Sequence, residues 1–213
     1  MKRREFTLGT AALGLGLPML ARAQARMPEE GHDYRVLDKR VAVEAPAGKV
    51  EVVDFFWYSC PHCNAFEPAL DDWAAKLPAD VVLRRMPVAF RDDMVPQQRL
   101  YYTLEALGRV GDLHTKVFDA IHKQHAELTL VGPMAQWAAK QGIDPQKFTD
   151  MYNSFAVSAK SRRAVEIQDA YKVEGVPAFG IAGRWYTDPT LTAGNDGFLH
   201  VADFLIAKAR STR

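Results

Sequence analysis

Cysteine is almost missing from this chain: its 213 residues include two, Cys60 and Cys63. With no second pair, a four-cysteine zinc centre is excluded, and histidines would have to complete any structural zinc site. His122 and His125 are the only close pair, and they lack the i, i+4 spacing of two ligands on one helix face. An excess of either charge is lacking too. The 27 basic and 26 acidic residues leave +1, without the basic footprint of a nucleic-acid partner. The apolar run from Phe6 to Leu20 is too short and too glycine-rich for a convincing membrane span. There is no internal repeat and no low-complexity segment. At 48% hydrophobic and 25% charged the composition is that of a globular protein, enough for one domain with an insertion or for two small ones.

The N-terminus reads as a signal rather than as fold. Lys2, Arg3 and Arg4 precede the apolar run, and Ala21-Arg22-Ala23 or Ala23-Gln24-Ala25 supplies small residues for cleavage after Ala23 or Ala25. Residues 1–25 are therefore expected to be a secretory signal, with an uncleaved anchor as the alternative. Arg3-Arg4-Glu5-Phe6 resembles a twin-arginine signal, while the general secretory route stays open. Residues 1–23 carry four basic groups and one acidic group, so a chain cleaved there keeps 23 and 25, a net charge of −2. Export leads to an oxidising compartment, where a cysteine pair can act as an oxidant.

The two cysteines define the rest. Val50 to Trp57 is almost continuously apolar, as a strand covered on both faces should be. It runs into Cys60-Pro61-His62-Cys63, after which Phe66, Leu70, Trp73, Ala74 and Leu77 follow a helical repeat. Cys60 thus falls at a helix start, where unpaired N–H groups and the macrodipole stabilise a thiolate. Pro61 suits the first turn because its missing N–H would be unpaired there anyway. His62 adds a donor and, when protonated, a positive charge. A structural disulfide would be a weak staple in so short a loop, about 2 kcal/mol against about 4.7 for a loop of about 100 residues. A redox pair fits better. Asp54 is a carboxylate in the middle of a buried strand, so it is either a perturbed acid or base near the thiols or a structural ion pair.

Further elements follow in order. Residues 26–49 read as an arm in which 34–37 and 40–43 form a short edge strand. Pro68 should kink the helix after Cys60. Val81 to Met86 is a strand whose Arg84 and Arg85 point to opposite faces, Arg85 being the expected partner of Asp54. From Arg91 to Tyr171 the pattern is helical. Helices are marked by Leu100, Leu104 and Leu107, by Leu113, Val117 and Ile121 with Asp112 as N-cap, and by Met134, Trp137 and Ala138. Another opens at Asp144-Pro145 with Phe148, Met151, Tyr152 and Phe155 inside, and a longer one runs from Val157 to Tyr171. His114, His122, His125 and His200 read as solvated or interface residues. Strands return after Val176-Pro177, at 178–181 and 184–187 around Ala182-Gly183, and a last helix covers about Asp196 to Lys208. The expected fold is α/β: a thioredoxin-like sheet domain (26–90 and 172–213) interrupted by an all-helical insertion (91–171).

A strand leading to C-x-x-C at a helix start within such a domain resembles the thioredoxin superfamily. Cys60-Pro61-His62-Cys63, Phe55-Phe56, the helical block and Val176-Pro177, in that order, resemble its exported DsbA family of thiol:disulfide oxidoreductases. The resemblance covers essentially the whole mature chain. It implies that Cys60 is the exposed nucleophile, that Cys63 is its buried partner and that Pro177 is cis, leaving the backbone of Val176 to pair with an extended substrate. It places Asp54 where the family has a buried Glu, and Arg85 roughly where it has a Lys. It implies a periplasmic oxidant of unfolded exported proteins that carry cysteine thiols, a quinone-linked re-oxidant like DsbB, a monomer, and no tightly bound cofactor. A disulfide isomerase or reductase, and a non-catalytic binding module or chaperone, are the alternatives.

Overall fold

The computed structural model describes residues 26–192 and 194–212; the expected signal, residues 1–25, lies outside them. Five strands, β1 (Arg35–Val36), β2 (Val50–Phe56), β3 (Val81–Pro87), β4 (Ala178–Ile181) and β5 (Trp185–Thr187), form one sheet in the order β1-β5-β4-β2-β3. β2 pairs parallel with β3 and antiparallel with β4, while β5 is antiparallel to both β4 and β1. The parallel pair needs a crossover, and α1 (Pro61–Ala74) supplies it. Between β3 and β4 run α2 (Val95–Ala106), α3 (Val110–His122), α4 (Val131–Lys140), α5 (Pro145–Tyr152) and α6 (Phe155–Ala170); α7 (Gly194–Ser211) follows β5.

β2 is the hub, and every one of its residues is buried. Alternation along the strand divides the core in two. Val50 and Val52 pack with Phe66, Leu70 and Trp73 of α1 and with Phe198, Val201 and Leu205 of α7. Val53 and Phe55 face the other way, into a cluster shared with Leu100 of α2, Val117 of α3, and Ile167 and Tyr171 from the α6 end. Asp54, two residues beyond Val52, belongs to the α1 face. Glu51 is also buried, and it accepts from the backbone N of Glu44 at 2.9 Å and pairs with Arg84 at 3.3 Å.

The β4–β5 hairpin turns through Ala182 (φ 51°) and Gly183 (φ 69°), the two positive φ values of a tight primed turn. A Cβ on Gly183 would meet the Val41 carbonyl oxygen at 2.1 Å, because the arm crosses the turn there and Val41 N donates to Gly183 O at 2.8 Å. This contact replaces the second half of the expected edge strand: 34–37 yields β1, but 40–43 does not pair as a strand.

Several other expectations need correction. Pro68, expected to kink its helix, lies inside α1, whose span runs from Pro61 to Ala74. α3 starts at Val110, so Asp112 lies within the first turn, held by Arg109 at 2.7 Å, rather than at the cap. Ser154 accepts from Val157 N at 3.2 Å and caps α6. That cap places Phe155 at the first helical position, 81% exposed, instead of inside with Phe148 and Tyr152.

Candidate active site

Cys60 is the N-cap of α1, and its backbone (φ −77°, ψ 117°) is still extended. Its Sγ accepts from Cys63 N at 3.4 Å, one of the helix N–H groups that have no carbonyl partner. Pro61 fills the first helical position, where no donor is lost. Both cysteines are free thiols in this structure, so the geometry is that of the dithiol form. Cys60 keeps 7% of its surface exposed against 1% for Cys63, so an incoming group reaches Cys60.

The two thiols are driven apart. A hydrogen bond from the Cys63 side chain, then the backbone N–H groups of Cys63 and His62 and the charge of His62, outweigh burial and lower Cys60 from 9.0 to about 6. Burial and the Cys60 sulfur push Cys63 far above the ordinary thiol range. Cys60 is therefore an anion at neutral pH beside a neutral Cys63.

Across from the motif, the Val176–Pro177 peptide bond is cis, as the resemblance implied. The Cys60 Sγ lies 3.5 Å from the carbonyl oxygen of Val176. A cleft of about 440 Å³ opens beside this contact, lined by His62 and Ala65 of α1, Val176 and Pro177, Glu174 and Pro189 among others. The turn leading to Cys60 is held from the helical block. Gln97 of α2 accepts from Ser59 N at 3.2 Å and from Ser59 Oγ at 3.0 Å. His122 Nε2 of α3 lies 2.8 Å from the Tyr58 carbonyl oxygen and donates to it.

Beneath the cysteines lies a buried ionic cluster. Asp54 is 1% exposed, and its Oδ2 has no hydrogen-bond partner. Burial first, then the charge of Glu67, raise its carboxyl from 3.8 to about 8, with Arg85 opposing. The β2–β3 register sets Arg85 beside Asp54, as expected, but the expected pairing is not what the guanidinium makes. Arg85 donates to Glu67 at 3.0 Å and to Asp71 at 2.6 Å. The reason lies in α1: Cys63, Glu67 and Asp71 fall at i, i+4 and i+8 along one stripe of the helix, Glu67 buried against the sheet and Asp71 at its exposed edge, so the guanidinium reaches two carboxylates there.

Gln97, Glu67 and His114 escaped the sequence reading. Glu67 was legible in principle from its spacing to Cys63. His114, expected to be solvated or at an interface, is 5% exposed and sits inside the cluster. Among the described residues, no group of three or more His, Cys, Asp or Glu side chains is placed to hold a metal ion.

A reactive thiolate at a helix start, a buried partner thiol and a cis-proline loop against them at one end of a mixed sheet define a thiol:disulfide oxidoreductase of thioredoxin-like fold. Residues 85–205 match the model of the DSBA-like thioredoxin domain family. The thiol:disulfide interchange protein DsbA of Bordetella pertussis is 43% identical over 99% of this chain and 100% of that protein. That of Burkholderia cepacia is 40% identical over 97% of this chain and 98% of its own length. The crystal structure of Pseudomonas aeruginosa DsbA is similar at a TM-score of 0.82 and 40% identity, covering 87% of this chain and 96% of that one. Oxidoreductase DsbA from Xylella fastidiosa reaches a TM-score of 0.82 at 28% identity, over 87% of this chain and 100% of that one. The chain belongs to the DsbA family of thiol:disulfide interchange proteins, and it is a disulfide oxidoreductase.

Proposed function

We propose that the chain oxidises cysteine pairs in newly exported proteins, with Cys60 as the sulfur that exchanges. A substrate thiolate attacks Cys60 of the Cys60–Cys63 disulfide, the S–S bond breaks, and Cys63 leaves as a thiolate that takes up a proton. A second substrate thiolate then attacks the substrate sulfur of the mixed disulfide and expels Cys60. The substrate gains a disulfide, and this chain keeps the two electrons as a dithiol. The observation that carries this reading is the separation of the thiols, Cys60 lowered to about 6 and Cys63 raised. A stabilised leaving thiolate makes the disulfide oxidising, a relation for which DsbA itself is the reference case.

Val176 and Pro177 are the substrate-binding pair, with the Val176 backbone open to an extended peptide along the cleft. His62 and Pro61 serve the Cys60 anion. Asp54 exchanges the proton of Cys63, which is supported by its place on the α1 face of β2, its unpaired Oδ2 and its electrostatic effect on Cys63. The sheet unit comprises 26–90 and 172–213 and the helical unit 91–171, in keeping with the run of helices between β3 and β4. The chain acts as a monomer in the periplasm once residues 1–25 are removed, and a quinone-linked membrane protein of the DsbB kind re-oxidises it. Among the described residues no helix is long and apolar enough to cross a membrane.

The test is the redox equilibrium of the mature protein with glutathione, with thiolate absorbance followed against pH. A Cys60 that ionises near 6 and a disulfide readily reduced by glutathione support the oxidant. A Cys60 near about 8.5, the free-thiol value, with a glutathione-resistant disulfide, overturns it.

A further inference from the structure

The buried histidine of α3 is a titratable group beneath the cysteines to which the scheme above gives no part. The ring of His114 meets Phe56, Tyr101 and Phe118 edge-on, with centroids 5.0, 6.0 and 5.3 Å away. Its Nδ1 is 2.9 Å from the Tyr58 hydroxyl and its Nε2 is 3.5 Å from Glu67 Oε1. One proton arrangement of the neutral ring serves both contacts. A carboxylate only accepts, so the tautomer with its hydrogen on Nε2 turns the positive end of the ring dipole towards Glu67, a close contact rather than a hydrogen bond, and lets Nδ1 accept from the Tyr58 hydroxyl. The charged groups facing the ring are Glu67 and Asp71 of α1 and Arg85 of β3, with the hydroxyls of Tyr58 and Tyr101 beside them. His122 of the same helix is engaged elsewhere, with the Tyr58 carbonyl. The other oxygen of Glu67 is held by Arg85 at 3.0 Å. A carboxylate only 4% exposed thus has a ring nitrogen of the helical block 3.5 Å away on one side and a hydrogen-bonded ion pair with the sheet on the other.

We propose that His114 is a positioning residue for the proton step at Cys63: it holds Glu67 as a carboxylate beside Asp54 and so sets the charge against which Asp54 must ionise. The inference rests on the reading of Asp54 as the group that exchanges the Cys63 proton. The coupling runs through charge. Burial works against an ionised Glu67, and the contact with His114 leads the groups that outweigh it and hold Glu67 below the usual carboxylate range. An ionised Glu67 disfavours a second negative charge on Asp54. Without the donor on His114, Glu67 binds a proton more readily, the one proton of the pair divides between the two carboxyls, and Asp54 becomes a base at lower pH.

The experiment is the pH profile of mixed-disulfide resolution, measured as reduced protein is mixed with saturating oxidised glutathione. In this step Cys63 loses its proton, its sulfur bonds to the Cys60 sulfur, and glutathione leaves as a thiolate. His114→Phe keeps the aromatic contacts but not the donor, and its profile should move to lower pH by about one unit. His114→Gln, which can place an N–H near Glu67, should return it to that of the parent. Should His114→Phe fail to fold, Glu67→Gln removes the same charge and should shift the profile in the same direction. A parental profile in both His114→Phe and Glu67→Gln, or an equal shift in His114→Phe and His114→Gln, overturns the role of His114. Asp54→Asn is measured alongside. If it leaves the profile unchanged, the reading of Asp54 fails and this inference with it; if it flattens the profile while His114→Phe does not shift it, only the inference fails.

Discussion

Arg85 is the cross-strand neighbour of Asp54, yet its guanidinium is spent on Glu67 and Asp71. Asp54 is left buried with an unpaired Oδ2, and its carboxyl is raised from 3.8 to about 8 by burial and by Glu67. A raised folded-state value makes the sign clear. The stability linked to the protonated carboxyl is whole below about 4 and is lost as pH climbs towards about 8, because the unfolded chain ionises first. An Asn in its place does not titrate. Asp54→Asn should therefore match the parent in acid and exceed it by up to about 4 kcal/mol at neutral pH. Urea unfolding of the two oxidised proteins across that range checks it, and a constant difference at all pH values would sink it.

The contributions to the Cys60 anion are unequal, and substitutions should rank them. The hydrogen bond from the Cys63 side chain comes first, and the charge of His62 comes after the backbone donors. Cys63→Ala should raise the Cys60 pKa by more than one unit, and His62→Ala by less, since the backbone N–H of His62 survives the change. Thiolate absorbance titrations of the two variants decide the order. If the His62 variant shifts further, the ring and not the neighbouring thiol governs the nucleophile.

The sheet and the cysteine motif were legible because each is a local pattern. The apolar run of β2 and the change of period after Cys63 follow from which side chains must be covered. What holds the site was less legible, since it depends on partners far apart in sequence. Gln97 is 38 residues from Ser59, and Tyr58 is 56 from His114. A lone histidine on a helix reads as solvated until a tyrosine hydroxyl and a carboxylate converge on it. Phe155 shows the reverse case. Its spacing looked internal, but the Ser154 cap starts a new helix and turns the ring outwards.

Gln97 offers a test of how the helical block supports the motif. Its side chain takes both hydrogens that Ser59 offers, from the backbone N and from Oγ, and it is 3% exposed. Removing it leaves a half-buried turn donor without an acceptor immediately before Cys60. Gln97→Ala should cost about 1–3 kcal/mol of stability, and Gln97→Glu should not recover it, because the carboxylate loses the Nε2 donor that bonds Ser59 Oγ at 2.7 Å and puts a charge where a buried neutral amide stood. Denaturant midpoints give the comparison. An alanine variant as stable as the parent would show that the turn does not depend on Gln97, the strand and the His122 contact with the Tyr58 carbonyl sufficing to hold it.

The reduced and oxidised proteins should respond differently to pH, and the sign follows from Cys60. Its folded-state pKa is depressed from 9.0 to about 6, so its contribution to the reduced fold is complete above 9.0 and is lost as pH falls through about 6. The oxidised protein has no thiol to titrate and lacks this dependence. Cys63 is raised, so it acts in the opposite sense, but only once the unfolded thiol begins to ionise near 9.0. Between about pH 6 and about pH 8 the stability of the reduced form relative to the oxidised form should therefore grow by about 1.4 kcal/mol per pH unit at most. The same growth is a growing preference for the dithiol, and hence a more oxidising disulfide as pH rises relative to an unfolded cysteine pair. Parallel stability curves for the two redox states over that interval would mean that the Cys60 thiolate is not stabilised by the fold. Cys60→Ser in the reduced state should remove the divergence while leaving the oxidised-like pH dependence in place.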